Sequence, residues 1–332
     1  MDLETKKLLP DKLTWTKAWS VNWDQDDKGF YYSRYPKPEN PDKKLEAASD
    51  YQSLHYHKLN TDQSEDKLIF DPKAKKMGVW GYITENKDYM IIGQWKAGNV
   101  GSYLYCKKLN EPNAKLQTLN GELGYRLWDI GNDGATFYCQ TTYKAPKGRI
   151  VAINLNDPKK ESWREIVPES DNTIRNVSLI QGKFYVSYLR DATSVVKIFN
   201  KDGSSAGQVT LPGIGSVSGF SAKRKDKEVF YTFSNVITPR TIYRYDVKNN
   251  KSSVWKKPNL SFDPGNYTVK QIFYTSKDGT KIPMFVSHKK GMKLDGANPT
   301  YLYGYGGFNV SLTPRFSVSR MLWMELGGVF AT

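Results

Sequence analysis

The residues best placed to do chemistry form one short segment, Gly304-Tyr305-Gly306-Gly307-Phe308, which follows the apolar run Tyr301-Leu302-Tyr303. Glycines let donors approach a developing negative charge closely, and a strand-to-loop segment of this kind supplies one half of the oxyanion hole in hydrolases. A phenol set among glycines, Tyr305, can aim its O–H at a tetrahedral intermediate. The plain alternative is a tight turn with an exposed tyrosine. Gly-Tyr-Gly-Gly alone does not choose between them.

Other reactive residue types occur in weaker contexts. Gly203-Ser204-Ser205-Ala206-Gly207 fits the G-x-S-x-G pattern with Ser205 at its centre. A nucleophile elbow needs a strand before it and a helix after it, whereas 195–199 and 208–211 both look like strands. The motif therefore reads as a hairpin turn. The histidines are His55, His57 and His288. His55 and His57 share one face of a strand at spacing two, as two metal ligands would. No third ligand accompanies them, so sheet packing is the reading. His288 ends a strand, and no nucleophile is identifiable for it to activate. Asp24, Asp26 and Asp27 belong to a turn rather than a calcium loop. Neither a metal nor a cofactor is expected.

The elements that carry these residues are almost all strands before residue 315. Short aromatic or β-branched runs alternate with polar turns. A polar pair followed by a strand recurs: Lys28-Gly29, Lys87-Asp88, Asp133-Gly134, Gln181-Gly182 and Lys225-Asp226, at intervals of 59, 46, 48 and 44 residues. Each unit holds a further strand, at 54–59, 103–109, 150–155, 195–199 and 242–247. A preceding strand leads into several of the turns, at 79–83, 125–130 and 177–180. A period of about 40–50 residues with several antiparallel strands per unit is the arithmetic of propeller blades. A sandwich with long loops would tolerate the spacing, but five units of similar length favour the propeller. With nothing before Leu9 to supply a ring-closing strand, the propeller is expected to be incomplete.

After residue 262 the pattern changes. Strand-like 267–274, the turn Ser276-Lys-Asp-Gly-Thr280 and strand-like 281–288 form a hairpin. A buried-looking strand from Pro299 then enters the glycine-rich loop. Residues 317–326 have apolar residues at helical spacing, and Gly327-Gly328-Val-Phe-Ala-Thr332 opens another strand. Strand, loop, helix, strand is the start of a parallel α/β sheet. The expected fold is mainly β: a partial β-propeller over 1–262, then the first strands and helix of an α/β domain over 263–332.

Bulk properties exclude several classes. The net charge is +15, but the basic residues are scattered and no basic stripe interleaves with aromatics, so nucleic acid is not an expected partner. Cys106 and Cys139 lie inside strand-like runs and read as buried free thiols. The N-terminus lacks the apolar core of a signal peptide, and no apolar run approaches bilayer length. Asn-x-Ser/Thr sequons occur at Asn176, Asn250, Asn259, Asn266 and Asn309. The cytoplasm is the default location, with no membrane contact and a monomeric state.

Residues 271–309, from Gln-Ile-Phe-Tyr-Thr-Ser-Lys-Asp-Gly-Thr through Tyr-Leu-Tyr-Gly-Tyr-Gly-Gly-Phe-Asn, resemble the propeller-to-hydrolase junction of the prolyl oligopeptidase family. The likeness continues through Ser317-Val-Ser-Arg320 and Gly327-Gly-Val329. It extends back through 60–66 and 215–219, and so covers essentially the whole chain. The resemblance implies a serine peptidase that cleaves short peptides after proline, with a seven-bladed propeller capping an α/β-hydrolase site. It assigns Tyr305 to the oxyanion hole and Phe308 to the pocket for the substrate's proline. The family's catalytic Ser, Asp and His fall beyond Thr332, so the chain is expected to be an internal fragment with about five of seven blades, inactive alone. A non-catalytic propeller that serves as a binding or regulatory module is the alternative.

Overall fold

The computed structural model describes residues 1–16, 21–40, 46, 48–111, 113–308 and 310–332; the sequon at Asn309 lies outside them. Five four-stranded sheets follow one another, each with its strands hydrogen-bonded in sequence order. The first contains β1 (Asn22–Trp23), β2 (Gly29–Arg34), β3 (Ser53–Lys58) and β4 (Lys67–Phe70). Next come β5 (Met77–Ile83), β6 (Tyr89–Lys96), β7 (Tyr103–Lys108) and β8 (Gln117–Asn120). The third holds β9 (Leu127–Asp133), β10 (Thr136–Thr141), β11 (Arg149–Asn154) and β12 (Arg164–Val167). The fourth has β13 (Thr173–Ile180), β14 (Lys183–Arg190), β15 (Thr193–Asn200) and β16 (Ser205–Gln208). The fifth has β17 (Ser216–Ser221), β18 (Glu228–Ser234), β19 (Thr241–Asp246) and β20 (Lys251–Lys256). The strand after each recurring polar pair is the second of its sheet, and the further strand is the third.

The polar pairs turn the chain by different chemistry. Gln181 and Gly182 both adopt positive φ, 48° and 73°, between the paired residues Ile180 and Lys183. That is the two-residue hairpin turn whose twist matches the strands. At the fifth pair, Asp226 N–H donates to the Lys223 carbonyl at 3.0 Å, and the Asp226 carboxylate accepts from Lys223 N–H at 2.8 Å. Sequence spacing revealed the turns because every sheet needs one there, whatever its type.

The chain forms two compact units, Met1–Pro146 with Ile150–Glu165, and Lys147–Arg149 with Ile166–Thr332. In the first, Tyr89, Ile91, Leu104, Cys106, Phe137 and Cys139 belong to one buried cluster. In the second, Tyr185, Val196, Phe220, Tyr231, Phe233 and Tyr245 form the core between successive sheets. Several of the strands that carry these residues are buried in unbroken runs, such as Phe184–Val186 of β14 and Phe137–Thr141 of β10, because an inner strand is covered on both faces.

A sixth sheet closes the second unit. It contains β21 (Tyr267–Thr275), β22 (Lys281–Lys289), β23 (Thr300–Leu302) and, after helix α1 (Val318–Glu325), β24 (Val329–Ala331), in the order β21-β22-β24-β23. β21 and β22 form the predicted hairpin, and β23 pairs with β24 in parallel. The sequence misjudged one feature: β23 is not buried. It is the edge of the sheet, and Tyr301 and Leu302 are 48% and 64% exposed. Apolar content marks a surface meant to be covered; it does not supply the cover. Among the described residues, no helix is long and apolar enough to cross a membrane.

Candidate active site

Helix α1 fixes the segment on either side of the glycine loop. Its Met321 and Met324 are buried with Tyr267, Phe330 and Val236. The Trp323 indole donates to the Val329 carbonyl at 2.8 Å. It lies flat against Gly328, where a Cβ would meet the indole nitrogen at 2.3 Å. Arg320 projects from the same helix. Its guanidinium sits 4.5 Å from the Phe330 ring centre and 5.8 Å from that of Tyr303, and it donates to the Arg315 carbonyl at 3.0 Å. It thereby ties the residue at the end of β23 to the chain entering α1. Composition offered no signal for this clamp, because it depends on which face of α1 meets β24.

At the mouth of the loop, Tyr303 N–H donates to the Ala331 carbonyl at 2.9 Å, which extends the parallel pairing by one residue. Tyr305 follows, 47% exposed. Its ring lies along Gly307, 3.7 Å from where a Cβ there would stand. Its hydroxyl has no hydrogen-bond partner among the described residues. Gly304, Gly306 and Gly307 do not adopt positive φ; the left-handed residue of the loop is Phe308, at +53°. Val310 N–H donates to the Gly307 carbonyl at 3.1 Å and closes that turn. A bulky side chain in this conformation costs about 1–2 kcal/mol. Phe308 is nevertheless 94% exposed. The loop therefore presents one free phenolic donor and one bare aromatic ring, three residues apart and held on a supported strand end.

Ser205 has no such setting. It opens β16, pairs with Phe199 and follows Gly203 at φ 92°, so the motif is a hairpin with a strand on both sides. At Gly203 a Cβ would stand 2.0 Å from the Ile166 carbonyl, which explains the glycine without catalysis. His288 is buried and donates from Nδ1 to the Lys289 carbonyl at 2.8 Å, while its Nε2 has no partner among the described residues.

His57 is the most elaborately held titratable group. It is fully buried, with Nδ1 2.6 Å from Asp66 and Nε2 3.0 Å from Asp11. Tyr32 donates to the other Asp66 oxygen at 2.5 Å. Burial alone would lower the imidazole pKa, but the bonds and charges of Asp66 and Asp11 outweigh it and raise the pKa. His55 instead has its pKa lowered by burial, and it contacts the Ser53 hydroxyl at 2.9 Å. Among the described residues, no group of three His, Cys, Asp or Glu side chains could hold a metal. Sequence reading missed both carboxylates: Asp11 is 46 residues away along the chain, and Asp66 carries no pattern of its own. The two thiols are free and buried; burial pushes Cys106 up to about 12 and Cys139 well above its ordinary value. They are inert as nucleophiles.

Comparison with known proteins decides what this scaffold is. Residues 1–258 match the family model described as prolyl oligopeptidase, N-terminal beta-propeller domain. The chain belongs to the prolyl oligopeptidase family. The prolyl endopeptidase of Elizabethkingia miricola is 40% identical over 333 residues, covering 100% of this chain and 46% of that protein. A prolyl endopeptidase of Dictyostelium discoideum is 33% identical, with coverages of 97% and 46%. Among solved structures, a prolyl oligopeptidase B from Galerina marginata bound to a 25mer macrocyclization substrate superposes with a TM-score of 0.85. It is 28% identical, with 97% of this chain and 46% of that one covered. The chain thus spans about half the length of the family members it matches. The successive four-stranded sheets are propeller blades of this family, and the chain continues past the matched propeller domain into the sixth sheet.

Proposed function

We propose that this chain is the substrate-admitting propeller and the oxyanion half of a serine-type prolyl oligopeptidase that cleaves short peptides after proline. The boundary between the two parts lies at 262/263, just past the end of the family match at residue 258. Tyr305 donates its hydroxyl to the oxyanion of the tetrahedral intermediate. The ring of Phe308 packs against the substrate's proline. The observation that carries this reading is the Tyr305 phenol, unpartnered and exposed beside a strained Phe308. A donor kept free of internal partners costs nothing to reorganise when charge develops on substrate.

The nucleophile and its base come from outside the described residues: Ser205 opens a hairpin strand, and His57 is held between Asp66 and Asp11. The working enzyme is a cytoplasmic monomer, and two buried thiols left unpaired suit a reducing compartment. Neither nucleic acid nor membrane takes part.

The test uses the full-length polypeptide and a proline-containing peptide. Tyr305→Phe should lower kcat by about 10²–10³-fold with KM nearly unchanged, the usual cost of one oxyanion donor. The 332-residue chain alone should show no cleavage. Wild-type kcat in Tyr305→Phe removes the assigned role. A full-length polypeptide that cleaves no peptide favours a non-catalytic binding propeller instead.

A further inference from the structure

Within the second unit a cleft of about 480 Å³ opens between β13, β17, the β18–β19 turn and the segment 311–316. Arg175, Arg240 and Arg315 line it, from three separate elements, and no carboxylate does. None of the three makes an ion pair or side-chain hydrogen bond among the described residues. Much of the remaining lining is hydroxyl, including Ser187, Ser311 and Thr313.

Each arginine stands on backbone that is held in place. Arg175 is the extra residue of a β-bulge, where the β13–β14 register slips between Ile174 and Asn176. A bulge re-aims a side chain that regular pairing would send elsewhere. Arg240 ends a turn fixed by Asn235, whose side-chain oxygen accepts from the N–H groups of Ile237 at 3.0 Å and Thr238 at 2.7 Å. Arg315 lies between two pinned neighbours. The Pro314 carbonyl accepts from the Ser216 hydroxyl at 3.0 Å, and Phe316 N–H donates to the Ser234 hydroxyl at 3.4 Å. Phe316 also stacks on Phe262 at 5.9 Å. All three arginines are exposed, and a polar cleft lined by three guanidinium groups without a counter-charge favours an anionic ligand.

We propose that this cleft is a carboxylate subsite for the peptide substrate. The inference rests on the peptidase reading above and adds a preference for charge. Position favours a substrate group over a free ion: Ser311 follows Phe308 by three residues, so their Cα atoms lie within about 11 Å. An acidic side chain, or the free C-terminus, a few residues from the proline bond spans that distance. Arginine presents a planar fork that takes a carboxylate through two parallel hydrogen bonds.

The test uses full-length polypeptide and three peptides with a reduced amide after proline, so that calorimetry reads binding without turnover. One is neutral and amidated, one carries Glu for Gln, and one has a free C-terminus. Cleavable versions give kcat/KM. At least one charged peptide should bind about tenfold tighter than the neutral one. In Arg240→Gln and Arg315→Gln that ratio should fall toward one, and the wild-type ratio should shrink with added salt. Which charged peptide gains identifies the source of the carboxylate. Equal binding of all three peptides by wild type overturns the proposal, as does an unchanged ratio in both variants or an equal loss on every peptide. A lower melting temperature in the variants without peptide discrimination also overturns it and points to an acidic segment of the protein itself. Charge-selective binding without cleavage sinks the peptidase reading and leaves the subsite standing; cleavage without charge preference does the reverse.

Discussion

The blades and the glycine loop use the same residue types and give them opposite fates. Phe184, Phe233, Tyr185 and Tyr231 are at most 2% exposed, whereas Tyr305 and Phe308 are 47% and 94% exposed. Hydrophobicity did not separate the two groups; position in the topology did. These four rings stand on β14 and β18, the second strands of their sheets, which have a hydrogen-bonded neighbour on each edge and bury the rings in dense packing. The loop leaves from an edge strand and has backbone support at its ends only. The rings on these inner blade strands therefore hold the fold, while those in the loop are available to a ligand.

The largest expected break of this comparison is in the blades. Phe184→Ala or Phe233→Ala should destabilise the protein by about 3–5 kcal/mol in urea unfolding, because each leaves a cavity that the sheets cannot close. Phe308→Ala should change stability by no more than about 0.5 kcal/mol, since its ring touches little. A Phe308 variant as damaging as a core variant would mean the loop is packed after all.

The His57 cluster sharpens the contrast among polar residues. His57→Ala removes the ring that bridges two buried carboxylates and should cost about 3 kcal/mol or more. The wild-type contribution also has a pH signature. The folded state binds the imidazole proton more tightly than the unfolded chain does. The contribution is therefore complete below about pH 6.5 and is lost as pH rises through the raised folded value. Unfolding free energies measured at pH 6 and pH 9 should differ less in His57→Gln than in wild type; the same drop in both proteins would exonerate His57.

The smallest effect belongs to Ser205. Ser205→Ala should leave peptidase activity of the full-length polypeptide unchanged and alter stability by less than about 0.5 kcal/mol. Gly203→Ala, two residues away, should be clearly destabilising, because the new Cβ stands 2.0 Å from the Ile166 carbonyl. If the serine change abolished cleavage and the glycine change did nothing, the hairpin reading of this motif would be wrong.

Much of the architecture was legible because strands announce themselves locally. The five polar pairs each precede the second strand of a sheet, and the Gly327-Gly328 break marks the start of β24. The exposure of β23 was not legible, since an apolar strand reads alike at the edge and in the middle. Neither were the Asp11–His57–Asp66 contacts or the Arg320 clamp. Each joins groups whose sequence separation carries no period.

The succession of strands along the chain and the positions of the turns were set by the sequence alone, because alternation and turn chemistry act over a few residues. Tertiary structure decided which rings are covered, which histidine lies between two carboxylates and which arginines share a cleft. Burial and electrostatics depend on distances through space, and those are fixed only when separate sheets pack.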